Sequence, residues 1–547
     1  MKLLLRYFNT LKFLKTKQVF YRILYFLTSP KLKTAGKSLK LRKVNFDSVS
    51  FLQKNQSLFK KNLFIFLNRS AILDETGWHP KDYDKLWIYN LHYCDWLNCK
   101  YTDNLSNKLD LLNQWIRENK DQNSISWEPY PTSLRIVNWI KWHLKGNELP
   151  RDFHKSLEIQ TEFLYERIEW HILGNHLFAN AKALLFSGLV FSGERSEKWL
   201  KKGKNIIFEE INEQVLDDGG NFERSPMYHL IFLEDVLDII NISKLYNDIL
   251  GSDFSNLLEV KAKNMLTWIH SMIHPDKEIS FFNDATLGAA AQPNSIFQYA
   301  RKLGIDFDAT ERTQNVKYLK ESGFIVINRD KLFSIIDVGK IGPDYLPGHA
   351  HAELLSFELS IIGHRFITNT GISEYKPGET RNYERGTSAH NTLSINNKNS
   401  SDVWSSFRVG KRASPSPPLI DSVDKLTSIK CSHNGFSKIF RRIIHERSWH
   451  FSEDKILIID KLNRPKKNAK VYYHFHPSIS IKRQNAKEWV LTLENIFVAT
   501  FNIIQGDSEI IPCYYSIEFG KKLNSECIVV NQRNGTAEVE INWRILN

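Results

Sequence analysis

Part-way along this chain the spacing of the apolar residues changes, and two kinds of domain follow from that change. Up to about Leu303 apolar residues recur at helical spacing, as in Ser106–Asn119, Ser133–Leu144, Ser156–Ile172, Leu177–Phe191 and Met227–Tyr246. Short loops rich in Gly, Asn, Asp and Pro separate these segments, the pattern of antiparallel helical hairpins. Past residue 320 the runs shorten. Phe324–Ile327, Leu332–Val338, Phe357–Ile362, Lys455–Asp460, Lys470–Phe475, Trp489–Leu493 and Ile496–Ile504 read as antiparallel strands of a sandwich. A boundary near residue 315 follows, and the length of 547 residues is itself too great for one ordinary core. Residues 1–85 are basic, with a Lys/Asn-rich middle, and are expected to form an irregular N-terminal extension.

Chemistry-bearing residues cluster around Gly348-His349-Ala350-His351-Ala352-Glu353-Leu354-Leu355-Ser356-Phe357. Two histidines two positions apart share one side of an extended strand, and the segment reads as a strand entering a sheet. Ser388-Ala389-His390-Asn391-Thr392 supplies a third histidine, and Gly174-Asn175-His176 and Arg224-Ser225-Pro226-Met227-Tyr228-His229 lie in the helical half. A single histidine is more often a core or surface residue than a functional one. The His-x-His pair with a later Ser-x-His shifts that balance towards one cleft at the domain junction. Asn175 is placed to cap the helix that follows, and Ser225-Pro226 opens another with Tyr228 in its first turn. Helix N-termini attract carboxylates, although ordinary capping beside a surface tyrosine explains the same spacing.

The charge is +13, from 74 basic and 61 acidic residues, and suits an acidic partner. No stretch resembles a nucleic-acid module, which leaves a charged glycan or an anionic membrane. Fourteen Trp and twenty Tyr supply platforms for sugar rings, though most are expected to fill helical cores. The five cysteines form no metal-ligand spacing, and their odd number argues against a disulfide framework and for a reducing compartment. Residues 1–33 mix Leu, Phe and Tyr with Lys and Arg, without the apolar core of a signal peptide. They read as a basic amphipathic segment for peripheral contact with an inner membrane surface, or equally as docking helices. No stretch reaches the roughly 20 apolar residues that span a bilayer. A cytoplasmic protein, peripheral at the inner membrane at most, is expected.

Taken in order, several motifs resemble the heparinase II/III-like family of polysaccharide lyases. They are Gly174-Asn175-His176-Leu177 with Asn180-Ala181-Lys182-Ala183-Leu184, Glu223-Arg224-Ser225-Pro226-Met227-Tyr228-His229, Pro275-Asp276-Lys277-Glu278-Ile279, Gly348-His349-Ala350-His351 and Ser388-Ala389-His390-Asn391-Thr392. The resemblance covers the chain from about Leu86 to its end. It implies an α+β multidomain fold: an incomplete (α/α) toroid over 86–315 followed by an antiparallel β-sandwich over 316–547. It also implies a carbon-oxygen lyase that abstracts the C5 proton of a uronate and expels the 4-linked sugar, with the carboxylate neutralised by preorganised groups. Asn175 and His176 match the family's carboxylate-binding and catalytic pair, Tyr228 the residue that removes or returns a proton, and His349 the assisting histidine. A tyrosine base needs nearby positive charge, which Arg224 or a protonated histidine is expected to supply.

Some members hold a metal ion through the second histidine of His-x-His, an aspartate and the later histidine. His351 and His390 match two of these positions, and the aspartate position falls at Asn369. A neutral amide is a poorer zinc ligand than a carboxylate, so no cofactor is required and a tightly held divalent metal is disfavoured. Tyr89 and His92, and Trp127, Tyr130 and Arg135, are candidates to line a glycan cleft, and helix-start packing explains them equally well. Arg224, and Arg381, Tyr383, Glu384 and Arg385 in a polar loop before His390, are candidates to meet substrate charge, and Arg441, Arg442, His445 and Arg447 read as an exposed strand face. The expected partner is an acidic polysaccharide or a lipid-linked glycan, with no nucleic acid. The missing export signal favours action during cell-surface polysaccharide biosynthesis. A non-eliminating modifying or transfer enzyme, and a non-catalytic glycan-binding protein, stay open beside the lyase.

Overall fold

The computed structural model describes residues 2–28, 39–43, 50–99, 105–147, 151–307, 315–423, 425–437, 441–494 and 496–543. A helical domain precedes an antiparallel β domain. The main helices run over Lys85–Tyr93, Leu105–Glu118, Pro129–Leu144, Arg151–Glu166, Gly174–Val190, Glu194–Gln214, Pro226–Leu245, Ser252–Ser271 and Pro293–Lys302. Neighbours pack as antiparallel hairpins. Between Gly174–Val190 and Glu194–Gln214, a Cβ on Gly188 would lie 2.6 Å from Leu200 Cβ, and one on Gly203 would lie 2.7 Å from Ala181 O. Glycine at those two crossings lets the helix backbones approach more closely than any side chain allows.

The β domain contains a five-stranded sheet, an eight-stranded sheet and a four-stranded sheet, all antiparallel. The five-stranded sheet runs in the order His364–Ile367, Phe357–Ile361, Leu332–Asp337, Phe324–Arg329, Val316–Leu319. Its two inner faces serve different cores. Phe324, Val326, Phe333 and Ile335 belong to the helical core, whereas Ile325, Ile327, Leu332 and Ile336 belong to the β core. Alternation along each strand produces that division, and burial on both sides explains why these strands read as unbroken apolar runs. The sheet is thus the layer that joins the domains and fixes the walls of the cleft between them.

Three expectations change. The N-terminal extension is not irregular. It forms α1 (Lys2–Leu11), α2 (Thr16–Leu27) and a three-stranded sheet over Leu58–Phe59, Leu63–Phe66 and Arg69–Ile72. Arg6 pairs with Asp402 at 2.7 Å, Lys15 pairs with Glu213 at 2.6 Å, and Tyr25 stacks near His171, so the helix pair is tied to both domains. The His349-x-His351 segment is a loop, and the strand starts only at Phe357. Leu355 has φ 66°, a turn conformation that ends any strand before it. Finally, His445 and Arg447 are buried rather than on an exposed face, because Arg447 forks onto Asp460 at 2.8 and 2.9 Å and caps Leu355 O. Arg441 and Arg442 are exposed.

Candidate active site

A cleft of about 2470 Å³ runs between the domains, and Asn175, His176, Tyr228 and His349 all line it. Each arrives from a different local device. Ser225 caps the Pro226–Leu245 helix by accepting from Tyr228 N at 3.1 Å, with Pro226 at the first helical position, so Tyr228 sits in the first turn as expected. Asn175 does not cap its helix. Leu173, at φ 71°, holds that position, which leaves Asn175 and His176 in the first turn of Gly174–Val190 beside unpaired backbone N–H groups. A Cβ on Gly174, at φ +58°, would fall 2.3 Å from Leu346 Cδ2, so this turn also presses on the loop that carries His349.

His349 is oriented from behind. Its Nδ1 lies 2.8 Å from Asp284 Oδ2, and His351 Nε2 lies 2.8 Å from the other oxygen, Oδ1. Arg381 closes the group with Nη2 2.7 Å from Asp284 Oδ2. Burial opposes ionisation of Asp284, but the Arg381 charge and the bonds from His349, His351 and Arg381 hold its carboxyl well below the usual range. With Nδ1–H donating to Asp284, His349 keeps Nε2 as the nitrogen able to accept a proton.

Tyr228 stacks on His349 with ring centroids 3.7 Å apart, and its hydroxyl lies 2.9 Å from that of Tyr375. Burial, the neighbouring Tyr375 and the Asp284 charge push the Tyr228 phenol well above its ordinary value of 10.0. Arg224 is not placed to compensate, because its guanidinium is turned to Lys340 O and Glu321 O and does not line the cleft. Tyr228 therefore holds its proton, which makes it an acid in this cleft.

At the other wall His176 Nδ1 lies 3.1 Å from Glu169 Oε1, and Tyr130 stacks on His176 at 4.4 Å. Burial works against a charged His176, yet the Glu169 charge and hydrogen bond outweigh it and raise the imidazole. Asn180 Nδ2 donates to Glu169 Oε2 at 3.1 Å and so fixes the pair. An imidazolium and an amide at a helix N-terminus form a carboxylate receptor. Glu223 lies between the two walls, its Oε2 4.0 Å from His349 Nε2. Neither of its oxygens finds a hydrogen-bond partner among the described residues, and burial raises its carboxyl.

Of the residues expected to bind substrate, Tyr89, Trp127 and Tyr130 line the cleft. Four others do not face it. His92 is buried and accepts from Trp115 Nε1 at 3.0 Å. Arg135 is buried against Gln160 Oε1 at 2.7 Å and Ser126 O at 2.8 Å. Arg385 is spent on the carbonyls of Ala350 and Ser405, at 2.9 and 3.1 Å, and Arg224 on those named above. These cations organise loops; they are not free to meet a glycan. Arg22, Lys302 and Arg408 line the cleft instead, and Arg69 and Arg167 line it with guanidiniums that donate to Asp82 O and to the carbonyls of Tyr25 and Thr28.

The proposed metal ligands are placed differently from the expected trio. Asn369 Oδ1 accepts from Ser356 Oγ at 2.7 Å and lies 3.1 Å from His390 Nδ1. Among the described residues the group that could hold a metal ion is His351, Glu353 and His390, whose ligand atoms lie within 4.8 Å of one another. His351 Nδ1 and His390 Nε2 make no hydrogen bond among the described residues, and Glu353 Oε2 has only His390 Nδ1, at 3.3 Å. Orphaned buried nitrogens beside a carboxylate have the chemistry of a divalent-cation site. Glu353 lies in the Gly348–Phe357 motif, two positions past His351 and outside the His-x-His pair. Asp284, in Phe281-Phe282-Asn283-Asp284, was legible only as a polar pair ending an apolar run, and Tyr375 had no signal at all.

Two family models match end to end: heparinase II/III N-terminus over residues 74–306, and heparinase II/III-like, C-terminal, over residues 311–544. A heparin-sulfate lyase of Bacteroides stercoris is 28% identical over 267 residues, 44% of this chain and 40% of that protein. Another from Pedobacter heparinus is 24% identical over 431 residues, 72% of this chain and 62% of that protein. The chain thus spans less than two thirds of the length of these curated relatives. The crystal structure of heparinase III superposes with a TM-score of 0.67 at 16% identity, over 96% of this chain and 90% of that one, which is a likeness of fold. With both halves matched in order and the helical and β domains arranged as in heparinase III, this protein belongs to the heparinase II/III-like family.

Proposed function

We propose that this protein is a polysaccharide lyase that cleaves a uronate-containing acidic glycan, of the glycosaminoglycan type, by β-elimination. The observation that carries this reading is the stacking of Tyr228 on His349 across the domain junction, in one cleft with Asn175 and His176. The uronate carboxylate sits against Asn175 and the charged His176, which stabilises negative charge as the C5 proton leaves. His349 Nε2 takes that proton. The C5–H electrons form the C4–C5 double bond, the C4–O4 bond breaks, and the Tyr228 phenol protonates the departing oxygen. Asp284 holds His349 in the required tautomer. Heparin-sulfate lyase is the name borne by its relatives, and that substrate class is the first to offer.

The test is an absorbance assay for unsaturated uronate with heparan-, chondroitin- and alginate-type polymers. New absorbance lost in Tyr228→Phe supports elimination. Polymer that binds with no unsaturated product from any of them, at matched protein quality, overturns it. A second reading is a lipid-linked glycan cleaved or modified during surface-polysaccharide assembly. It draws on the outward apolar face of α1 and α2, and expects membrane-anchored chains to be better substrates than free ones. We also infer that His351, Glu353 and His390 hold a divalent cation, which would cross-link the loop bearing His349. No step of the elimination is assigned to it. Metal analysis of the purified protein checks this: bound zinc or calcium lost in Glu353→Gln supports it, and a metal-free protein whose melting is untouched by added cations sinks it.

A further inference from the structure

The outer surface of the N-terminal helices carries apolar area and charge that the cleft does not use. Leu4 and Phe8 recur along α1, and Phe20, Ile23 and Leu27 along α2, at the spacing of a single helical stripe. Such a stripe ordinarily faces the core, but here the faces beside and behind it are the ones tied down. Gln18 is buried and reaches Ile172 O at 3.3 Å, Tyr7 meets Trp404 edge-on, and Tyr21 meets Trp170. The apolar stripes stay outside: Phe8 is 63% exposed, Phe20 61% and Leu27 78%, with Phe26 beside them at 81%. Exposed apolar area of this kind marks a docking surface.

Charge identifies what covers it. The first 46 residues contain 12 Lys and Arg and no Asp or Glu. Of the chain's 74 basic residues that leaves 62 against 61 acidic ones, so nearly the whole net charge of +13 lies in this segment. A second copy of the chain would bring this charge against its like, an arrangement that repels. An anionic bilayer satisfies both features, since acyl chains take the apolar stripes and lipid phosphates take the cations of this segment other than Arg6 and Lys15, which Asp402 and Glu213 hold, and Arg22, which lines the cleft. No helix among the described residues is long and apolar enough to cross a membrane, so the contact is along the surface.

We propose that α1 and α2 seat this protein on an anionic lipid surface, with the apolar stripes at the headgroup boundary. Tyr7, Leu14, Gln18 and Tyr25 of the same helices line the cleft, so the seated protein holds its cleft alongside the bilayer. The test is co-sedimentation of the full chain with vesicles of phosphatidylcholine alone, or mixed with equal phosphatidylglycerol. Binding to the anionic vesicles is expected to be at least ~10-fold tighter. It should weaken about tenfold as salt rises from about 0.1 M to about 1 M, where the screening length shrinks from ~10 Å to ~3 Å. The triple substitution Phe8→Asp, Phe20→Asp, Phe26→Asp should cost at least ~10-fold in vesicle binding and leave the melting temperature unchanged. A chain that stays in the supernatant with anionic vesicles overturns the proposal. So does triple-variant binding equal to that of the parent, or a dimer that the same three substitutions dissociate and that binds no vesicles.

Discussion

At the scale of single residues, the cleft is defined by which groups keep a proton. Tyr228 is held protonated by burial and by its neighbours, so Tyr228→Phe removes the acid while leaving the ring that stacks on His349. A loss of about 10²–10⁴ in kcat with little change in KM is expected, read from initial rates of unsaturated product. Asp284→Asn is a harsher change, because it frees the His349 tautomer and strands the buried Arg381. About 3–5 kcal/mol of stability should go with it, measured by denaturant unfolding. Glu169 and His176 set a pH window. The raised imidazole of His176 contributes stability below its ordinary value of 6.5, which is lost as pH climbs through the raised value. For Glu169, burial opposes the charged form, but the His176 charge and hydrogen bonds from His176 and Asn180 lower its carboxyl. Its contribution is present above the ordinary value of 4.5 and is lost as pH falls through the lowered one. Glu169→Gln should therefore lower the melting temperature most between the ordinary values of 4.5 and 6.5, by the equivalent of about 2 kcal/mol, and less at alkaline pH, above the raised value of His176. An equal deficit at both would show that charge is not what Glu169 supplies.

At the scale of elements, the contact between the Gly174–Val190 helix and the Leu346 loop sets the distance across the cleft. Gly174→Ala adds a Cβ 2.3 Å from Leu346 Cδ2 at a φ of +58°, where L residues are strained. Destabilisation of about 1–2 kcal/mol is expected, together with a raised KM as His176 and His349 are pushed apart. Leu346→Ala in the same chain should restore KM but not the backbone strain, a split that steady-state kinetics and melting together resolve. The helices themselves were legible because periodicity survives burial: Leu177–Phe191 read from spacing is Gly174–Val190 in the fold, and Met227–Tyr246 is Pro226–Leu245. The His349-x-His351 segment misled because alternation is shared by strands and by loops whose side chains converge on one carboxylate. Asp284, some sixty residues away, draws both imidazoles to the same side without a strand. The buried arginines misled for a related reason. Sequence shows a cation, whereas only the fold shows the carbonyls that Arg135, Arg224 and Arg385 already serve.

At the scale of the whole molecule, the two domains share a layer, and this decides how the protein should come apart. Along the Phe324–Arg329 strand, Phe324 and Val326 insert into the helical core while Ile325 and Ile327 insert into the β core. Unfolding either domain alone would strip one face of a sheet buried on both sides and leave apolar area exposed on the half that remains. The helical and β domains are therefore expected to melt in one calorimetric transition despite a chain of 547 residues. Phe333→Ala, on the helical side of the next strand, tests the coupling, with an expected cost of about 3–5 kcal/mol. Far-ultraviolet dichroism at the helical and strand wavelengths should report the same lowered midpoint. If the helical signal moved and the strand signal stayed, the shared sheet would be a contact between independent units. The cleft geometry could then vary from molecule to molecule. A common midpoint instead makes the separation of His176 from His349 a property of one cooperative core, as an elimination that needs groups from both domains requires.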